Sequence, residues 1–192
     1  MANQEKNLLS HLRQEPGYAS NLAAAYDAIA YVRAKLPMGA DNKTSDKVRA
    51  LAANRVIELN ECVANVKNPW LDISVPEDPM LPSWIVKAAI KAEAAGCGNC
   101  GEQSAVALVY LFNKKYIRVV DLMRRTDPQT DHNFIVIGRD AGSDIANHKT
   151  WGPKCVVCDP WDDKAFAAAD IMKYAYKPYS FAVRSQFSWP LS

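Results

Sequence analysis

Cys100 lies in the run Gly98-Asn99-Cys100-Gly101-Glu102-Gln103-Ser104-Ala105, where an apolar pattern with helical spacing begins. His132 follows in Asp131-His132-Asn133-Phe134-Ile135-Val136-Ile137, and Asp159 in Val156-Val157-Cys158-Asp159-Pro160-Trp161. A thiol, an imidazole and a carboxylate are the parts of a cysteine nucleophile with its base and an orienting acid. The chemistry they would perform is acyl transfer from an amide through a thioester.

Each residue type suits its place. In the first turn of a helix a thiol faces unpaired backbone amides and the positive end of the dipole, which favour the thiolate. Gly98 and Gly101 let the backbone turn and a substrate approach, and the amide of Cys100 can face a developing oxyanion. Asn99 and Gly101 flank the thiol and are candidates for oxyanion or substrate contacts. Glu102 suits the dipole but opposes a neighbouring thiolate.

His132 opens a strand in which Phe134 and Val136 share its face, while Asn133, Ile135 and Ile137 take the other. Both faces are apolar, which predicts a central strand with His132 at its exposed end, where a general base belongs. The other two histidines fit less well: His11 falls in a helical stretch and His148 in a loop. Asp159 ends a Val-rich strand and Pro160 stops its ladder. A carboxylate there can hold the imidazole tautomer and stabilise the imidazolium. Taken singly, each residue has a plainer reading: a buried structural thiol, a satisfied histidine, a turn aspartate. Their arrival at the element ends that the chemistry requires favours the joint reading.

The cysteines also form two Cys-x-x-Cys pairs, Cys97 with Cys100 and Cys155 with Cys158, which raises a structural zinc site. The span between the pairs far exceeds the roughly 15–20 residues of a zinc ribbon. The Val-Val interior predicts a strand, with Cys155 and Cys158 on opposite faces. Zinc is therefore the weaker reading, and no metal or other cofactor is expected. An odd count of five cysteines, with no signal peptide in evidence, predicts reduced thiols.

The elements that must position these groups begin with helices. Leu8, Leu9 and Leu12 predict a short helix that Pro16-Gly17 stops. Ser20 can cap a second, with Leu22, Ala25, Tyr26, Ile29, Val32 and Leu36 on one stripe, ended by Pro37 and Gly39. Thr44 or Ser45 can cap a third, carrying Val48, Leu51, Val56, Leu59 and Val63. Lys67 to Pro82 contains Pro69, Pro76, Pro79 and Pro82 and reads as an irregular connection. Ser83 opens a fourth helix that Gly96 ends.

From Cys100 to Phe112 the spacing predicts a largely buried helix. Strands are expected at Tyr116–Leu122, His132–Ile137 and Cys155–Cys158, with a weaker one at Phe181–Val183. A last helix over Asp163–Tyr174 would take Asp162 as its cap. Met123–Asp131 and Arg139–Lys154 read as long connections, of the kind that often carry function. Helices followed by strands predict an α+β fold. The division is a helical N-terminal region, 1–66, and a core, 67–192, together one compact domain.

Composition bounds the rest. The chain has 192 residues, 49% hydrophobic and 23% charged, with a net charge of +2. That suits one soluble domain. Lys and Arg are dispersed, which gives no argument for nucleic acid or an anionic membrane. No apolar run nears the roughly 18 residues of a membrane span. The expected partner is a protein substrate, and the helical N-terminal region suggests a regulatory protein partner. Synthesis in the cytoplasm is expected, with export by an uncleaved route open.

On Gly98-Asn99-Cys100, Asp131-His132-Asn133-Phe134 and Cys158-Asp159-Pro160-Trp161, the chain resembles the transglutaminase-like branch of the papain-type thiol superfamily. The likeness covers about Trp84 to Phe166. It implies a central helix packed on a small antiparallel sheet, and its nearest likeness is to bacterial effectors or toxins delivered into a host cell. The chain departs from the eukaryotic transglutaminase pattern at Asn133 and Gly101, where tryptophans are common, and has no recognisable calcium loop. In that family an upstream aromatic donor can complete the oxyanion site, which makes Trp84 and Trp70 candidates. Trp151 and Trp161 flank the Asp159 strand and would wall a substrate channel.

The resemblance implies a glutamine deamidase or a transglutaminase. A cysteine peptidase is the alternative within the same chemistry. A non-catalytic protein-binding module is the alternative outside it.

Overall fold

The computed structural model describes residues 17–68, 73–75, 81–114, 119–126, 131–174 and 182–189. The expected helix at Leu8–Leu12, together with His11, Trp70 and the start of the first predicted strand, lies outside them. The fold mixes helices with one antiparallel sheet, as an α+β layout requires.

Helix α1, Tyr18–Lys35, ends where Leu36 precedes Pro37, a position disfavoured for helical backbone. Ala24, Ala25 and Ala28 are buried along it, and these small side chains let the helix lie close to the sheet. Tyr26, predicted on the buried stripe, is instead exposed, with its hydroxyl donating to the carbonyl of Ala165 at 3.3 Å. Gly17 rather than Ser20 caps the helix.

The predicted third helix is two, α2 over Thr44–Ala52 and α3 over Val56–Lys67. Asn54 breaks the run by taking a left-handed conformation, φ 55°, which Asn tolerates better than most residues. The break turns Val48 and Leu51 outward, 61% and 66% exposed, while Leu59 and Val63 stay in the core. Helix α4, Ser83–Ala95, stops at Gly96 with φ +79°, as predicted. Helix α5, Cys100–Asn113, buries Gln103, Ser104, Ala105, Val106, Ala107, Leu108 and Leu111. From Gln103 to Leu108 no side chain faces solvent, so α5 is a central helix.

The sheet order is β4-β3-β2-β1-β5, with every neighbour antiparallel. Strand β1 is Val120–Thr126, β2 Asp131–Ile137, β3 Val156–Asp159, β4 Lys164–Ala167 and β5 Ala182–Trp189. Met123 to Thr126, read as part of a long connection, continues β1 and pairs with Phe134 to Asp131. Lys164 to Ala167, read as helix, pairs with β3 instead. Asp163 takes a positive φ of 59° at the turn between them, and pairing along an otherwise open β3 overrides the helical preference of the alanines. A single 3-10 turn and the short helix α6, Ile171–Tyr174, come after β4.

Both faces of the sheet are covered, which is why β2 and β3 are apolar on both sides. On one face Leu122, Ile135, Ile137, Val156 and Cys158 pack with α1, α3, α4 and α5 in a single hydrophobic core. Residues before and after position 66 share that core. On the other face Met123, Phe134, Val136, Cys155, Val157 and Phe166 pack around Trp151. The predicted loop Arg139–Lys154 thus folds over the sheet, with the Trp151 indole donating to the carbonyls of Asp144 and Ile145. Trp151 is fully buried there, so it is a core anchor and not a wall of the site.

Candidate active site

The start of β2, the end of β3 and the N-terminus of α5 come together at one end of the sheet. His132 Nε2 lies 2.7 Å from Asp159 Oδ2, both side chains buried. The second oxygen of Asp159 accepts the backbone N–H of Asp162 at 3.1 Å, which holds the carboxylate in one orientation. Because Nε2 is committed to Asp159, Nδ1 is the nitrogen left for Cys100, whose side chain is hydrogen-bonded to His132. The imidazole therefore joins the thiol to the carboxylate.

The charges follow from this arrangement. Burial alone would push the Cys100 thiol up, but the hydrogen bond and charge of His132, helped by the backbone and side chain of Asn133, bring it below its ordinary value. Burial likewise opposes an imidazolium, yet the hydrogen bonds to Asp159 and Cys100 outweigh it and raise His132 to about 9. The two shifts favour the same state, a thiolate beside an imidazolium. Cys155 and Cys158 are pushed far up by burial.

The turn carrying Cys100 is built from both sides. The Glu102 carboxylate accepts the backbone N–H of Asn99 at 2.9 Å, so it is turned back onto the chain rather than toward the thiol. Gln103, buried beneath, donates from Nε2 to the carbonyl of Gly98 at 2.8 Å. A Cβ at Gly98 would sit 2.6 Å from the Cβ of Glu102, so close packing, not a left-handed turn, demands glycine there. The Asn133 amide lies beside Gly101, 3.5 Å from where a Cβ would stand, a distance of ordinary contact. The first-turn amides of Cys100 and Gly101 have no intrahelical acceptor, which makes them available to an anion.

Trp161 lies at the site, its ring edge-on to His132 with centroids 5.4 Å apart and its Nε1 donating to Asn42 Oδ1 at 2.9 Å. Trp84 does not. It is 49% exposed at the start of α4, whereas Cys100 follows the end of that helix, roughly 18 Å away at helical rise. Asp131 pairs with Arg124 on the rim through Oδ1 and Oδ2, at 2.8 and 2.6 Å.

No protein-family model matches this chain, and no curated protein matches it with significance. The site therefore stands on its geometry.

Cys97 is the clearest departure from sequence reasoning. It is bonded to Cys62 rather than free, joining the start of the Cys100 turn to α3. The pairing is long-range, between residues 35 apart, and packing of α3 beside the end of α4 brings them together. Cys155 and Cys158 do fall on opposite faces of β3, the latter with its thiol toward the carbonyl of Ala25 at 3.5 Å. Among the described residues no group of His, Cys, Asp or Glu is arranged to hold a metal ion.

Sequence reasoning also missed the support given by α1 and the segment after it. Arg33 donates from Nη2 to the carbonyls of Pro160 and Trp161, and pairs with Asp163 and the buried Asp46. Asp46 in turn accepts the backbone N–H of Ala40 at 2.9 Å. Gly39 and Gly98 are joined by a main-chain hydrogen bond of 3.0 Å. One short segment thus touches both the thiol turn and the acid turn. Only the unusual density of charged and small residues between Arg33 and Asp46 hinted at it.

Proposed function

We propose that this chain is a thiol enzyme that transfers acyl groups from protein amides, with Cys100 as nucleophile, His132 as base and acid, and Asp159 as the group that orients His132. The observation that carries the reading is the His132–Asp159 contact of 2.7 Å, with His132 bonded on its other side to a thiol of lowered pKa. Cys100 attacks the amide carbonyl, and the carbonyl electrons move onto oxygen beside the first-turn amides of α5. Collapse of that adduct breaks the C–N bond, with the His132 proton passing to the departing nitrogen. The resulting thioester passes to water or to an amine.

The central helix on an antiparallel sheet, with the thiol at its N-terminus, is in keeping with a papain or transglutaminase-like core. A side-chain carboxamide is the preferred substrate. Cys100 is only 9% exposed, and a long, flexible glutamine can enter a recessed site that a continuous main chain would enter with difficulty. Water as acceptor gives a glutamine deamidase; a lysine amine gives a transglutaminase. The resemblance adds a setting, that of a bacterial effector acting on a host protein.

The test is incubation with a glutamine-bearing acyl-donor protein such as dimethylated casein, with and without a primary amine, followed by mass spectrometry. A gain of about 1 Da per glutamine, or of the amine mass less ammonia, is expected for the wild type and not for Cys100→Ala. Backbone cleavage in place of either would turn the reading to a peptidase.

A further inference from the structure

We infer that the side-chain amide of Asn133 is the second oxyanion donor of this site, acting beside the main-chain N–H of Cys100. This assignment rests on the acyl-transfer reading above and supplies the donor that Trp84, at the far end of α4, does not.

Asn133 Nδ2 lies 4.0 Å from Cys100 Sγ. In the tetrahedral adduct, the oxygen sits on a carbon bonded to that sulfur, roughly 2.7 Å from it. A donor 4.0 Å from the sulfur can therefore come within about 2.7–3.1 Å, the range in which such donors work, of an oxygen lying roughly 45° off the line from sulfur to donor. The orientation of the amide follows from charge: a thiolate accepts hydrogen bonds, so the NH2 end turns toward it. The other end, Oδ1, is buried without a hydrogen-bond partner. With no partner on Oδ1, no competing hydrogen bond draws the amide away from the sulfur.

Position completes the argument. Asn133 follows His132 on β2 and points to the opposite face of the strand, so base and donor approach the sulfur from different sides. The amide lies beside Gly101, 3.5 Å from where a Cβ there would stand, at the first turn of α5. The main-chain N–H of Asn133 also bonds the thiol, and it survives any substitution but proline. The side chain can therefore be removed without dismantling the thiolate.

The experiment compares two reactions at the same sulfur in the full-length protein. Acylation by p-nitrophenyl acetate forms an S–C bond, places charge on the carbonyl oxygen, then breaks the C–O bond to nitrophenolate. Alkylation by iodoacetamide displaces iodide and forms no oxyanion. Rates are compared at their pH-independent limits for wild type, Cys100→Ala, Asn133→Ala and Asn133→Ser. The expected result is acylation slowed 10- to 100-fold in both Asn133 variants, alkylation within about threefold of wild type, and both reactions absent from Cys100→Ala. Cys155 and Cys158, buried in the fold, staying unlabelled shows that the variants are folded.

Acylation unchanged, or falling in parallel with alkylation, overturns the Asn133 assignment alone. A wild-type Cys100 that reacts with neither reagent overturns the acyl-transfer reading and this one with it.

Discussion

Arg33 Nη2 donates to the main-chain oxygen of Pro160 at 3.2 Å, linking α1 to the residue that directly follows Asp159. The same nitrogen reaches the carbonyl of Trp161 at 3.3 Å, and Nε pairs with Asp163. The helical N-terminal part of the chain is thus a brace for the acid turn. It belongs to the same packing unit as the site.

Replacing Arg33 with Ala should free that turn. Acylation of Cys100 by p-nitrophenyl acetate is expected to fall about tenfold, as small misplacements of catalytic groups do. Lysine should not restore it, because a point charge cannot serve several acceptors in one plane. Stopped-flow acylation of the Ala and Lys variants checks this, and full activity in Arg33→Lys would count against the brace.

Removing the base should return the thiol to ordinary behaviour. In His132→Ala the midpoint for iodoacetamide labelling of Cys100 should rise to or above the ordinary value of roughly 8.5, since burial is then opposed by Asn133 alone. Labelling at pH 6.5 should fall by about tenfold or more. Mass spectrometry of the adducts reads this directly. Buried Cys155 and Cys158 serve as internal controls that stay unlabelled in the folded protein.

The raised His132 pKa makes a stability prediction with a definite sign. Its value is about 9 in the folded chain, against roughly 6.5 unfolded. The folded state therefore binds this proton more tightly, and the stabilisation is complete below about pH 6.5 and lost as pH rises through about 9. The lowered thiol acts in the opposite sense, so the measurement belongs in a Cys100→Ala background. Cys100 supplies part of that rise, so in this background urea midpoints should fall from about pH 6.5 upward and level off by about pH 9, and the fall should be smaller when His132→Gln is added. A midpoint independent of pH in that window would contradict the His132–Asp159 pair.

The Cys62–Cys97 bond should matter for stability. Its loss in Cys62→Ser is expected to cost about 2–4 kcal/mol. Urea unfolding of wild type with and without a phosphine reductant, beside the variant, tests it. Equal midpoints throughout would show that packing alone holds α3 to the Cys100 turn.

Trp84 and Trp161 should differ in their effect on the thiol. Trp84→Ala is expected to leave alkylation and acylation of Cys100 within about twofold, since the indole stands at the wrong end of α4. Trp161→Ala removes the ring against His132 and should slow acylation several-fold. Parallel rate measurements on the two variants decide between them.

The legible part of this protein is the part that local chemistry writes into neighbouring residues. Cys100, His132 and Asp159 can be chosen because each stands at the end of an element whose apolar spacing is clear. The α5 run, the double-sided apolarity of β2 and the stop at Gly96 are readable for the same reason. Less visible are elements made by partners far along the chain. Lys164–Ala167 is a strand because β3 lies beside it, and the break at Asn54 shows only as a change in which residues are buried. Trp151 cannot be told from Trp161 by composition, since both follow the same pattern of a large ring near a turn.

The sequence by itself determined the kinds of groups, their order and the elements that end at them. Side-chain type and hydrophobic periodicity are local properties, and they need no partner to be read. Only the tertiary structure decided that the three groups meet, that Asn133 rather than Trp84 faces the sulfur, that Cys97 is joined to Cys62, and that Arg33 holds the turn after Asp159. Each of those depends on the packing of segments remote in sequence, and such packing is a property of the whole folded core rather than of any stretch of it.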